Sequence, residues 1–375
     1  MSDLSARNRY FDTLFADRER IWMGQNTNHI PAHPQVKAAM LASIDSEEYN
    51  AYAPPLGFEA LREAIVADLN VPGLEALVTE GGVNALALIC EARCTPGTTF
   101  VTTDPTWKWP CQFAERRGAE VIQLPIFDDD GKLSAVDLER AVDERTRIIY
   151  VVDPNNPMGT RYERGELERF VAIARECNAL LVHDCTYRDF AAGHTPAVAI
   201  DAEHCVVTIS FSKWLGLAGL RLGALVATPR LVEEFATRSA SVLGASVVAQ
   251  RAALAGLGVK QEWMAQVRCI DAANKQRIRE CVERIPELRL LVWPSHGNFL
   301  VIETSAAGIA PEALVELYRR EGIMIRQGSY HTARFGERFI KVSTSVPESW
   351  AIQFCDLLPA LVDAARGVTD VGPQF

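Results

Sequence analysis

An apolar stretch, VVTISFS at 206–212, ends in a lysine, and SFSKWLGLAGLRLG at 210–223 sets Lys213 among Ser210, Ser212 and Arg221. A lysine at a strand end is ordinarily a solvated charge. Here two hydroxyls and a planar guanidinium fork accompany it, a donor set suited to a phosphate dianion. TEGGVNALALIC at 79–90 puts two glycines at the start of a helical run. Free amides and the positive helix end at Gly82 and Val83 make a phosphate cradle there, although glycine-led helix starts are common. The run lacks the GxGxxG of dinucleotide binding and the lysine of a P-loop.

DPNNPMG at 153–159 follows RIIYVV, and its asparagines lie between prolines. This is a tight turn in any reading. It also holds the Asn156 amide at a strand end, where it could donate to a phenolic oxygen. In HDCTYRDF at 183–190, Asp184 closes the apolar stretch LLV. A buried carboxylate there needs a partner, and a protonated pyridine nitrogen would serve.

The elements that must position these groups follow a clear rhythm. A helix-like run at 83–93 precedes short β-branched stretches at 99–103, 121–126 and 147–152; a helical pattern from 166 leads to further stretches at 180–184, 206–212 and 220–228. Strands alternating with helices predict a mostly parallel sheet covered on both faces. Ligands of such sheets bind beyond the carboxyl ends of the strands, where the four motifs fall. Residues 231–285 read as helical. LRLLVW, NFLVIE, IMIRQ and FIKVS then alternate with helical stretches at 311–320 and 347–366, which predicts a smaller α+β domain.

The four motifs together resemble the class I/II aminotransferases of pyridoxal phosphate (PLP) fold type I, over about residues 20–345. The resemblance implies an α/β fold: a large domain with a mostly parallel sheet flanked by helices, at 46–260, and a small C-terminal domain at 261–375. Residues 1–45 would contribute to the small domain and the substrate pocket. Lys213 would carry PLP as a Schiff base and act as general base, with Asp184 on the pyridine nitrogen. Ser210, Ser212, Arg221, Gly82 and Val83 would hold the phosphate, Asn156 and Tyr187 the ring oxygen. Trp107, in DPTWKWP, would stack on one ring face and Thr186 lie under the other. Tyr52, in NAYAPPLGFEALREAI, would reach the neighbouring subunit's cofactor, which implies a homodimer with active sites at its interface.

On the substrate side the resemblance departs from pattern. The family places an arginine for the α-carboxylate in a strand where this chain reads FIKVSTS, with Lys341 in its position. Lysine is a point charge without the planar fork. Lys341 then grips the carboxylate less rigidly, or Arg326 grips it, or the substrate presents another group; an exposed strand lysine is the plainest alternative. Arg326 in IMIRQG and the NFL of HGNFLVIE are similar to the histidinol-phosphate aminotransferase branch, whose second arginine is missing here. In MGQNTNHIPAHP at 23–34, Gln25 and Asn26 are candidate substrate contacts, whereas prolines between and beside His29 and His33 speak against a metal pair on one helix.

Thirty-eight basic and 48 acidic residues leave a net charge of -10, which disfavours nucleic acid as a partner. No apolar run approaches the roughly 20 residues of a membrane helix. Nine cysteines without a CxxC pair suit reduced thiols in the cytoplasm. The expected activity is therefore transfer of an amino group from an amino acid or related amine to a 2-oxo acid. A decarboxylase, lyase or cyclising synthase is the alternative on the same scaffold.

Overall fold

The computed structural model describes residues 4–368, 371 and 374. Seven strands form the main sheet, in spatial order Glu75–Thr79, Gly223–Ala227, Cys205–Ser210, Leu180–Asp184, Thr146–Val152, Thr99–Asp104 and Glu120–Pro125. All are parallel to their neighbours except Gly223–Ala227, which runs antiparallel to both. The reason is the connection: residues 211–222 hold only a short 3-10 turn at Ala218–Leu220, too little for a parallel crossover.

Side chains alternate between two covered faces. Val207 and Leu181 join one core, while Val206, Leu180 and Val182 join the other. Glu75–Thr79 is a strand that the sequence pattern does not announce. The strand expected over 220–228 is only Gly223–Ala227, because Arg221 adopts the left-handed region with φ 54°.

A continuous helical region over 231–285 is not what the chain forms. A non-helical stretch at 237–246 separates helix Pro229–Ala236 from helix Val247–Gly258, which Val259 divides from helix Lys260–Val282. A Cβ on Gly244 would meet the Pro54 carbonyl oxygen at 2.1 Å, so close backbone approach governs that stretch. Ser246 then caps the next helix through the Ala249 amide.

A second, antiparallel sheet runs Arg326–Gln327, Phe339–Ser343, Phe299–Glu303, Arg289–Leu290. It packs with helices Pro311–Arg320 and Glu348–Ala365 around a separate core that includes Ile302, Tyr318, Ile340 and Phe354. Ile21–Trp22 pairs with Ile323–Met324, which ties the N-terminal segment to this unit. Helix Lys260–Val282 bridges the two units: Trp263 and Val267 enter the first core, Ile278 and Val282 the second. No helix among the described residues is long and apolar enough to cross a membrane.

Candidate active site

The carboxyl ends of the parallel strands open into a cleft lined by Gly82, Val83, Trp107, Asn156, Asp184, Thr186, Tyr187, Ser210, Ser212, Lys213 and Arg221, with Leu86 and Val152. Groups distant in sequence meet here because adjacent parallel strands end on the same edge. Lys213 stands just beyond Cys205–Ser210, and its Nζ donates to the Gln25 carbonyl at 2.9 Å. Burial lowers its pKa from 10.5 to about 8; the Arg221 guanidinium adds to the fall and Asp184 opposes it.

Asp184 ends its strand almost fully buried. One carboxylate oxygen accepts from the Tyr150 hydroxyl at 2.9 Å, the other from the Thr186 amide at 3.1 Å. Tyr150, which the sequence reading missed, is fully buried, and burial followed by the Asp184 charge raises its pKa well above the ordinary value. Its hydroxyl therefore stays protonated and keeps donating. The only signal available was its position two residues before the end of the neighbouring strand, in register with Val182.

The Tyr187 hydroxyl accepts from Asn26 Nδ2 at 3.0 Å and from Asn156 Nδ2 at 3.2 Å, and burial raises its pKa. Asn26 is left-handed at φ 53°, and its backbone is held by the Ser343 hydroxyl and the Asn298 amide. The turn carrying Asn156 rests on Asp153, whose carboxylate meets His183 Nε2 at 3.1 Å and His194 Nε2 at 3.2 Å. His183, Cys185 and His194 bring their ligand atoms within 4.8 Å of one another. His183 Nδ1 accepts from the Ala197 amide, so its Nε2 proton goes to Asp153 and this is a hydrogen-bonded brace. His29 faces Thr27, and His33 caps helix Pro34–Asp45 through the Gln35 amide.

A second cavity continues outward from Trp107, Asn156, Tyr187, Lys213 and Arg221 to Gln25, Asn26, Arg326, Lys341, Tyr330, His331 and, from helix Leu4–Ala16, Arg7, Phe11 and Phe15. Lys341 is not an exposed strand lysine: it is 3% exposed, and its Nζ donates to Asn156 Oδ1 at 3.2 Å. Burial, then the charges of Arg326 and Lys213, lower its pKa well below that of an ordinary lysine. Antiparallel pairing places Arg326 directly across from Lys341. Arg326 donates to the Gly24 carbonyl at 3.3 Å and lies 4.4 Å from the Tyr330 ring centre. Tyr52 stands apart from both cavities and is 85% exposed. A wider groove beside helix Glu59–Leu69 lacks such convergence, since Arg62 is spent on Glu59, Glu75 and the Ala76 carbonyl.

The donor set fits PLP. Gly81, at φ 83°, caps helix Gly82–Arg93 with no side chain over its first amides, and a Cβ there would lie 2.9 Å from Arg221 Nη2. A Cβ on Gly223 would meet the Gly82 nitrogen at 2.3 Å, so this cradle needs both glycines. Its amides, two serine hydroxyls and a guanidinium match a phosphate. The buried Asp184 carboxylate matches a protonated ring nitrogen, and the Lys213 amine opens on the same cleft.

The profile of the family described as aminotransferase class I and II matches residues 18–357. Among curated proteins, the histidinol-phosphate aminotransferase of Geobacillus sp. (strain WCH70) is 29% identical over 313 residues, 82% of each chain. That of Methanothermobacter thermautotrophicus is 26% identical over 346 residues, covering 92% of this chain and 89% of its own. In fold, N-succinyldiaminopimelate aminotransferase from Mycobacterium tuberculosis superposes with a TM-score of 0.84 at 23% identity, over 93% of this chain and 95% of that one. A double mutant of Thermus thermophilus aspartate aminotransferase gives 0.82 at 20% identity over 96% of each.

Proposed function

This chain belongs to the class I and II aminotransferases and is a PLP-dependent enzyme acting on amino and keto acids, and from that premise we propose how its own residues divide the work. PLP, when bound, supplies an electron sink for the charge released at the substrate Cα. Asp184, fixed by Tyr150 and the Thr186 amide, pairs with the ring nitrogen and favours its protonated form. Ser210, Ser212, Arg221 and the amides of Gly82 and Val83 hold the phosphate. Trp107 and Thr186, which line the same cleft, would cover the two ring faces, and Asn156 and Tyr187 would hold the ring oxygen.

Lys213 would anchor the cofactor through Nζ and, with its amine free, would take up and return the substrate Cα proton on that nitrogen. A pKa near 8 suits both directions of that transfer at neutral pH. The observation that carries this reading is the meeting of Lys213, Asp184 and the phosphate cradle in one cleft. We also propose a homodimer, supported by the exposed Tyr52, whose family counterpart serves the neighbouring subunit. A cytoplasmic setting is supported by nine free cysteines.

Holoenzyme given one amino donor and no acceptor should release one equivalent of keto acid per site, then turn over continuously when a 2-oxo acid is added. Carbon dioxide with an amine product, or ammonia with keto acid formed beyond one equivalent per site in the absence of an acceptor, would overturn transamination in favour of a decarboxylase or lyase.

Lys341 is proposed to grip the substrate α-carboxylate, supported by its burial beside Asn156. Lys341→Ala should raise KM for α-amino acids about 10- to 100-fold, the range of a charged hydrogen bond worth roughly 1.5–3 kcal/mol. The same substitution should alter a donor lacking that carboxylate far less. Steady-state kinetics on such a matched pair checks it, and equal effects on both would refute the assignment.

A further inference from the structure

Asn156 and Tyr187 stand on different stretches of chain, the turn at 153–159 and the segment beyond strand Leu180–Asp184, yet the Asn156 amide meets the Tyr187 hydroxyl at 3.2 Å. The side chain that ties those two stretches together is His194. Its Nε2 lies 3.1 Å from the Asp153 carbonyl oxygen and 3.2 Å from Asp153 Oδ2. Carbonyl and carboxylate oxygens only accept, so His194 Nε2 carries the proton and donates to both. His183 stacks on His194 with ring centres 5.3 Å apart and donates to the same carboxylate oxygen at 3.1 Å, while the Tyr162 amide reaches the other oxygen at 3.1 Å. Burial alone would raise the Asp153 pKa, but the two imidazole hydrogen bonds outweigh it and keep the carboxylate charged.

These contacts differ in what they fix. His183 lies on the strand paired with Thr146–Val152, opposite Val151, so it continues the register of the sheet. The Asp153 amide does the same, donating to the Asp184 carbonyl at 2.9 Å. Tyr162 closes the far end of the turn itself. His194 comes from beyond Tyr187, in an irregular stretch that Arg161 supports by donating to the Gly193 carbonyl at 3.2 Å. It therefore fixes the turn relative to Tyr187, and a donor to a charged acceptor makes a strong tie. His194 lines neither cavity, so any influence on the chemistry passes through the turn.

We propose that His194 is a positioning residue, which locks the Asn156 turn to the chain segment carrying Tyr187 and so aims the Asn156 amide at the ring oxygen of bound PLP. This rests on the aminotransferase reading above and deepens it. A donor set only slightly off its place loses much of its effect, which is why supporting contacts of this kind matter to a site.

The test is a double-variant cycle on His194 and Asn156, read on kcat and on the pH at which the visible absorption band of bound PLP changes. Asn156→Ala and His194→Ala should each lower kcat by about tenfold, a modest misplacement on the scale of such effects, and should move that pH in the same direction. The double variant should match Asn156→Ala alone to within about twofold, because His194 then has nothing left to position. His194→Gln, which keeps a donor near the place of Nε2 and guards against misfolding of the alanine variant, should recover part of the loss. In cofactor-free His194→Ala, hydrogen exchange should quicken in peptides covering 153–162 and 188–197 and stay as in the wild type elsewhere. Losses that add in the double variant, or faster exchange along the whole chain, mean general destabilisation and overturn the inference. So does a His194→Ala variant with the kcat and band of the wild type. Asn156→Ala without effect overturns the ring-oxygen assignment and this inference together, while keto acid still forms and the aminotransferase reading stands. Keto acid from no donor in the wild type overturns that reading as well.

Discussion

Lys213→Ala should lower keto-acid formation by about 10⁴-fold or more, because one substitution removes both the cofactor's covalent anchor and the group that moves the Cα proton. Borohydride reduction followed by peptide mass spectrometry should trap PLP on the peptide containing Lys213 in the wild type and nowhere in the variant. Trapping at another lysine, Lys341 above all, would refute the assignment. The pH dependence of cofactor capture follows from burial. The attacking species is the neutral amine, so the rate at which cofactor-free protein takes up PLP should rise with pH up to about 8 and then level off. The folded pKa lies below the unfolded value of 10.5, so between about 8 and 10.5 the unfolded chain binds more protons. Stability contributed by this group therefore rises with pH across that window.

Asp184→Asn should cost about 10²–10³-fold in kcat/KM, comparable to removing a preorganised electrostatic partner from an enclosed site. The amide preserves shape but cannot offer the charge that favours a protonated ring nitrogen. It also leaves the Tyr150 and Thr186 donors with a weaker acceptor. PLP affinity should fall in parallel, measurable by equilibrium titration of the cofactor-free protein. Tyr150→Phe separates holding the carboxylate from supplying its charge: it removes one hydrogen bond and leaves the charge in place. Its effect on kcat/KM should be several-fold at most. An Asp184→Asn variant within twofold of wild type would remove Asp184 from the reaction.

Strand ends were the legible part of this chain. Lys213, Asp184 and Asn156 each follow a short apolar stretch, so their location at one sheet edge could be read from the rhythm of elements, and the Gly81–Gly82 pair was readable as a helix start. What local pattern missed was set by distant contacts. Tyr150 reads as an ordinary strand residue until the neighbouring parallel strand sets Asp184 against it. His194 stands in an irregular stretch, a place with no periodicity to flag it. The break at 237–246 depends on Gly244 approaching Pro54, nearly 200 residues earlier.

Lys213 and its neighbours thus carried the cofactor chemistry in residue type and spacing alone, because each motif is local and the α/β rhythm fixes which edge it occupies. Lys341 is the opposite case. From sequence it could be a surface charge, a carboxylate grip or a bystander. Only the packing of two sheets and the N-terminal segment buries it, sets Arg326 across from it and turns Asn156 toward it. The meaning of a lysine depends on the dielectric and the charges around it, and those come from contacts between parts of the chain far apart in sequence.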